Sequence, residues 1–177
     1  VGIVCATGPV GAELLVVLTR RSFPVGKIRL LASARSFGKR LRFRDEEIAV
    51  EELNEDAFAG IDLAFFSAGG ELSRKFVPAA VSAGAVVIDN SSVFRMDPEV
   101  PLVIPEINGA DVHTHGGIIA NPNCTTAVTL MALYPLHQEF GVRRIFASSY
   151  QAVSGSGARA IAELKRQVNE SPHGSVP

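Results

Sequence analysis

Short apolar runs recur along the first two-thirds of the chain, each closed by a turn rich in glycine, serine or charge, and several lead into a stretch of helical period. Val1-Gly2-Ile3-Val4-Cys5 reads as a buried strand and Ala6-Thr7-Gly8-Pro9-Val10-Gly11 as its turn. Val10 to Leu18 then reads as a helix with Val10, Leu14, Leu15, Val17 and Leu18 largely along one side. Ile28 to Ala32 is a second strand, and Leu41 to Phe43 with Ile48 to Val50 form a small hairpin around a charged Arg-Asp-Glu-Glu turn. Leu63 to Phe66 and Val86 to Ile88 are further strands, with a helix over about Leu72 to Ala83 between them. Strands alternating with helices predict an α/β fold, a parallel sheet with helices on both faces, joined by right-handed crossovers. Ligands of such sheets collect at the carboxyl ends of the strands. That rule singles out Thr7 to Gly11, Ser33 to Gly38, Ser67 to Gly70 and Asn90 to Arg95.

From Asn121 the texture changes to a turn, a helix to about Phe140, a strand over Ile145 to Tyr150, a glycine-rich loop and a helix from about Ala158. This predicts a first domain over 1–121 and the opening of a second over 122–177. Composition narrows the function classes. With 17 basic and 18 acidic residues the net charge is -1, which argues against nucleic acid or an anionic membrane and for a small-molecule partner. No run approaches the roughly 18 apolar residues of a membrane span. Two cysteines, Cys5 and Cys124, are too few for a disulfide framework, so a reducing cytoplasm is the expected setting. The chain starts without Met on a strand-like run and stops after a helical pattern, so both ends read as cut.

Glycines 8 and 11 stand between the first strand and the first helix, where a diphosphate can rest on backbone N–H groups at the positive end of the helix. A Cβ there would hold the phosphate away or clash where helix meets strand. An acidic residue at the end of the second strand would select a ribose 2′-hydroxyl. About 22 positions after Gly11 the chain instead offers Ser33-Ala34-Arg35-Ser36-Phe37-Gly38-Lys39. A guanidinium, two hydroxyls and a lysine suit a 2′-phosphate, so NADP is favoured over NAD.

Asn121-Pro122-Asn123-Cys124-Thr125-Thr126 precedes the apolar-periodic run Val128, Leu130, Met131, Leu133, Leu136. Asn123 reads as an N-cap, which puts Cys124 on the first helical turn. Unpaired N–H groups and the helix dipole there favour a thiolate, a usable nucleophile. Cys5, inside a strand, reads instead as an inert buried thiol. A thiol nucleophile beside a nicotinamide can attack an aldehyde or acyl carbonyl and exchange hydride through a thiohemiacetal or thioester. Arg95 is the candidate clamp for a phosphate or carboxylate, with a surface ion pair as its competing role. No metal is expected: His113 and His115 read as a solvated loop, Glu46, Glu47, Glu51 and Glu52 as hairpin surface, and His137 as a surface or interface residue. Phe65 and Phe66 read as strand core.

Several blocks carry a resemblance in chain order: 6–11, 32–36, 66–69, 88–92, 101–108, 117–126 around Cys124 and 149–157 around Gln151. They resemble the bacterial-type aspartate-semialdehyde dehydrogenases, with the blocks around Cys124 and Gln151 the specific ones. The resemblance implies a Rossmann-type NADP-binding domain and the start of a second α/β domain for catalysis and dimerisation. It implies NADPH-dependent interconversion of 4-phospho-L-aspartate with L-aspartate 4-semialdehyde and phosphate, toward lysine, methionine, threonine and diaminopimelate. It implies Cys124 as the acyl-thioester carrier, Asn123 positioning the intermediate, Gln151 on the substrate and Arg95 on the phosphate. Thr7, Gly8, Pro9 and Val10 would lie along the diphosphate, Arg35 and Ser36 at the 2′-phosphate, and Ser67, Ser154 and Gly155 beside the nicotinamide. A homodimer or homotetramer is implied for the whole protein.

Two departures from the family pattern matter. Cys5 stands where the family has the first glycine of the turn, and a positive φ there would cost of order 1 kcal/mol. The second half, with a histidine acid/base and an arginine for the substrate carboxylate, is missing, and His173 does not match that histidine's setting. The chain is therefore expected to be an amino-terminal half, inactive alone. The competing readings are a cofactor-binding fragment without turnover and another thiol-dependent reductase, such as glyceraldehyde-3-phosphate dehydrogenase or N-acetyl-glutamyl-phosphate reductase.

Overall fold

A computed structural model describes residues 1–170. The chain forms two compact units, one ending at Ile145 and the other beginning at Phe146. His173 lies outside the described residues.

The first unit is built on one seven-stranded sheet: β1 (Gly2–Val4), β2 (Arg29–Ala32), β3 (Arg40–Phe43), β4 (Glu46–Glu52), β5 (Leu63–Phe66), β6 (Val86–Asp89) and β7 (Ile118–Ala120). Its order is β3-β4-β2-β1-β5-β6-β7, parallel throughout except for the β3–β4 hairpin. Four helices belong to it: α1 (Pro9–Arg20), α2 (Gly70–Ser82), the short α3 (Pro105–Asn108) and α4 (Cys124–Phe140). This is the mostly parallel Rossmann-type sheet expected from the sequence.

Register explains why the sheet needs helices on both faces. Ile3 lies opposite Leu30 and Phe65, and Val4 opposite Leu31 and Phe66. Successive side chains point to opposite faces, so the first set packs with Leu15 and Leu18 of α1 and the second with Phe76, Val77 and Ala80 of α2. Burying each Leu or Phe contributes about 2 kcal/mol, and neither face can be left to water. The buried line of α1 is Gly11, Leu15 and Leu18; Val10 and Val17, expected on the same side, are exposed instead. Each lies on the helix surface one position out of that line.

Three further expectations change. The hairpin turn is only Arg44 and Asp45, because Glu46 and Glu47 already belong to β4. Glu51 is more than surface: Arg29 donates to both of its carboxylate oxygens, Nε at 3.0 Å and Nη2 at 2.5 Å, while Nη1 reaches the Ala59 carbonyl at 3.0 Å. The hydrogen bonds from Arg29 hold the Glu51 carboxyl below its ordinary range. Residues 145–150 do not form the expected strand, since this run has no ladder partner among the described residues and 141–152 are irregular. A short strand-like run cannot hold as a strand without a neighbouring edge to pair with.

Cys5 is also corrected: β1 ends at Val4, and Cys5 occupies the turn with φ +61°. This is the left-handed region, where an L side chain crowds its own carbonyl. Its thiol, half-buried against the α2-side core, is pushed up by desolvation. Replacing it by Gly or Ala removes the sulfur in both cases and leaves only the backbone difference. Cys5→Gly is therefore expected to be more stable than Cys5→Ala by about 1 kcal/mol in urea unfolding. The opposite order would mean that the turn is unstrained.

The second unit carries a 3-10 turn over Val153–Ser156, Gly157 at φ +87°, and α5 (Ala158–Glu170). Within α5, Arg166 pairs with Glu163 one turn before it and Glu170 one turn after it. No helix among the described residues is long and apolar enough to cross a membrane.

Candidate active site

β1 pairs with β2 on one side and β5 on the other, so the direction of winding reverses between β1 and β5. The crevice outside their carboxyl ends is where an open α/β sheet receives a ligand. Because β2, β1, β5, β6 and β7 are parallel, the segments following them share that edge. They are Ser33 to Gly38, Thr7 to Gly11, Ser67 to Gly70, Asn90 to Arg95 and Asn121 to Cys124. Three strand spacings of about 4.8 Å separate β1 from β7, so the glycine turn and the cysteine turn stand about 14 Å apart along the edge.

Gly8 is the N-cap of α1, with no side chain capping the helix. Its N–H donates to the Cys5 carbonyl at 2.9 Å, and the first helical bond runs from Ala12 N–H to the Gly8 carbonyl. Pro9 has no N–H to offer, which leaves the amides of Val10 and Gly11 at the helix mouth without an intrahelical partner. A Cβ on Gly11 would stand 2.6 Å from the Cys5 and Ala6 carbonyl oxygens, so glycine is required for α1 to meet the turn. Gly8 has an ordinary φ of −79°, and a Cβ there would be 3.2 Å from the Cys5 oxygen, tight but without backbone strain.

Thr7 bridges this turn to the next. Its Oγ1 lies 3.2 Å from Oγ of Ser36, which is buried in the 3-10 turn Ala34–Ser36 after β2. Arg35, beside it, is exposed and has no hydrogen-bond or ion-pair partner among the described residues. Ser67 follows β5, and its N–H leans toward the Val4 carbonyl at 3.5 Å.

The other end of the edge holds Arg95 and Cys124. Arg95 Nε donates to the Asn121 carbonyl at 2.9 Å and Nη2 to the Asn90 carbonyl at 3.0 Å. A guanidinium has five N–H donors, so three stay available while the group is held between the β6 and β7 ends. The expected surface ion pair is not made among the described residues; the partners are two backbone carbonyls. Cys124 is exposed at the first position of α4, and Asn123 caps the helix by accepting the Thr125 N–H on Oδ1 at 2.9 Å. A sulfur so placed sees the unpaired amides and positive end of a 17-residue helix.

Gln151, Ser154 and Gly155 belong to the second unit and gather around its 3-10 turn. A Cβ on Gly155 would come within 2.9 Å of Gln151 Nε2, so glycine there leaves room for the amide. Among the residues weighed against function, His115 Nδ1 accepts the Gly117 N–H at 3.0 Å, and His137 borders an apolar groove with Ile107, Leu133 and Tyr134. Sequence reasoning gave no role to Asp89 or Ser73: Asp89 accepts from Ser73 and Ser91, while Asn121 donates to Asn90 beside Arg95. The available signal was a carboxylate ending the apolar run Val86-Val87-Ile88.

Comparison with known proteins identifies the family. Residues 1–115 match the semialdehyde dehydrogenase NAD-binding domain, and 133–177 match the dimerisation domain of the same enzymes. An aspartate-semialdehyde dehydrogenase of Synechocystis is 49% identical over 177 residues, all of this chain and 52% of that protein. The crystal structure of aspartate semialdehyde dehydrogenase II from Vibrio cholerae, complexed with ASA, superposes with a TM-score of 0.88 at 43% identity, over 99% of this chain and 54% of that one. The Candida albicans enzyme with NADP gives 0.62 at 27% identity, over 80% of this chain and 47% of its own. The chain thus spans about half the length of the relatives it matches. With its NAD-binding domain matched from the first residue and its fold shared along nearly all its length, the chain belongs to the semialdehyde dehydrogenase family.

Proposed function

We propose that this chain is the cofactor-binding and nucleophile-bearing half of an aspartate-semialdehyde dehydrogenase, with residues 1–121 serving the cofactor and 122–177 opening the catalytic and dimerisation part. The observation that carries the reading is Cys124, exposed at the capped amino end of α4 and following the same sheet edge as the glycine turn and Arg95. The names of the relatives supply the substrate, the semialdehyde of aspartate.

The cofactor fits this edge as NADP. The uncapped mouth of α1 receives the diphosphate, with Thr7, Gly8, Pro9, Val10 and Gly11 along it. Arg35 has no ion-pair partner among the described residues and stands beside Ser36, which suits a 2′-phosphate. Ser67 is assigned to the nicotinamide side. When bound, the reduced cofactor supplies a hydride to an acyl carbon. The Cys124 thiolate attacks the acyl-phosphate carbon of 4-phospho-L-aspartate; a C–S bond forms, the C–O bond to phosphate breaks, and phosphate leaves. Arg95 holds that phosphate through its free N–H groups. Asn123 orients the thioester carbonyl, and after reduction the C–S bond breaks to release the aldehyde. The proton of the thiol is returned by an acid/base from the second half.

The competing reading, a cofactor-binding fragment without turnover, is favoured by the half-length match. One comparison separates the two. The 177-residue chain and a completed chain, carrying these residues and the second half of the Synechocystis relative, are assayed for NADP reduction with aspartate semialdehyde and phosphate. Turnover is expected only in the completed chain. Activity of the short chain would mean that no acid/base from the second half is needed, and silence of both would remove the dehydrogenase reading.

A further inference from the structure

We propose that Asp89 is a positioning residue for Arg95, acting through Ser91 to fix the loop that presents the guanidinium; this rests on reading Arg95 as the phosphate clamp. Asp89 ends β6 with 0% exposure. It shares a strand face with Val87 and so points toward α2, where Ser73 Oγ donates to its Oδ1 at 2.8 Å. Ser91 Oγ donates to Oδ2 at 2.5 Å and accepts the Val93 N–H at 3.2 Å. A hydroxyl has one proton. Giving it to the carboxylate turns the oxygen's lone pairs toward Val93 and closes the loop.

The rest of the loop is held in series. Val93 packs so close to Gly70 that a Cβ there would be 2.9 Å from Val93 Cγ2, and Phe94 packs on the α2-side core. Arg95 then bonds the Asn90 and Asn121 carbonyls, and Asn121 Nδ2 donates to Asn90 Oδ1 at 2.7 Å. The Asp89 main chain joins the same network, since its carbonyl accepts the Asn121 N–H at 2.8 Å. One residue thus ties the Arg95 loop to the turn that leads into Cys124. An apolar residue would fill this buried strand end at less cost than a carboxylate, which must be fully hydrogen-bonded to be tolerated. Two donors aimed at its two oxygens meet that requirement, and what they secure is the path of the loop.

The test uses the completed chain. Asp89→Asn, Ser91→Ala and Ser91→Thr are each made with Arg95 present and with Arg95→Ala, and the KM for phosphate, kcat and NADP affinity are measured. Asp89→Asn and Ser91→Ala are expected to raise the phosphate KM about tenfold, the effect of one lost charge-assisted bond. NADP affinity and kcat should stay within about twofold, and Ser91→Thr, which keeps the hydroxyl, should behave as the parent. In the Arg95→Ala background Ser91→Ala should add less than about twofold. An equal effect in both backgrounds, or an unchanged KM, overturns the proposal. Should Asp89→Asn fail to fold, Ser91→Ala still decides. Arg95→Ala leaving the phosphate KM unchanged would sink the clamp reading; Arg95→Ala raising it while Ser91→Ala is silent would sink the positioning role alone.

Discussion

Cys124→Ser in the completed chain is expected to lower turnover by about 10,000-fold while leaving NADP affinity within about twofold. Serine is the sharp substitution because it changes one atom and little else. The Asn123 cap bonds a backbone amide, so α4 should begin at the same place. What disappears is the sulfur: a serine oxygen in the same place is a far weaker nucleophile toward an acyl carbon and a poorer leaving group afterwards. The cofactor turn is about three strand spacings away and has no bond to Cys124, hence the unchanged affinity. Alkylation supplies an independent check in the completed chain without substitutions. Cys124 is exposed, whereas Cys5 is half-buried and its thiol is pushed up by burial. Peptide mapping after brief iodoacetamide treatment should find the adduct at Cys124, with loss of activity in step. Retained turnover in Cys124→Ser, or inactivation tracking Cys5, would remove Cys124 from the mechanism.

What made the sheet legible was local. The central strands β1, β2, β5 and β6 are short apolar runs, largely buried, so period and composition agree there. The glycine turn, the capped cysteine and the α4 and α5 helices announce themselves within a few residues, because caps and breakers act over one turn. The failures that bear on the site mostly involve partners distant in sequence. Residues 145–150 read as a strand but find no ladder partner among the described residues. Glu51 looked like hairpin surface because Arg29 lies 22 positions earlier. Cys5 reads as the end of a strand by its apolar run, whereas its place at the family's first turn glycine points to the positive φ that the chain adopts there. Asp89 carries the same lesson at the site itself: its partner Ser73 comes from a helix 16 residues earlier, and no spacing rule joins them.

Arg35→Ala should weaken NADP binding by about 30-fold and NAD binding by less than about threefold, measured by calorimetry on the completed chain. The asymmetry follows from what Arg35 lacks. It is exposed, has no anionic partner among the described residues, and stands beside the Ser36 hydroxyl that meets Thr7. A guanidinium in that state loses nothing by turning to a 2′-phosphate, and a charge-assisted pair of this kind contributes about 2 kcal/mol. NAD presents a hydroxyl at the same position and gains little from the charge. Because the pair would form at the surface, the NADP deficit of Arg35→Ala should shrink as ionic strength rises from about 0.05 to 0.5 M, while the NAD affinities hardly move. Arg35→Lys keeps the charge without the planar fork, so it should recover part of the loss. Lys39, four residues on, is the control: if Lys39→Ala rather than Arg35→Ala separates the two cofactors, the 2′-phosphate sits further along the loop. Equal losses for NADP and NAD on removing Arg35 would mean that this loop supports the fold of the site and does not read the ribose.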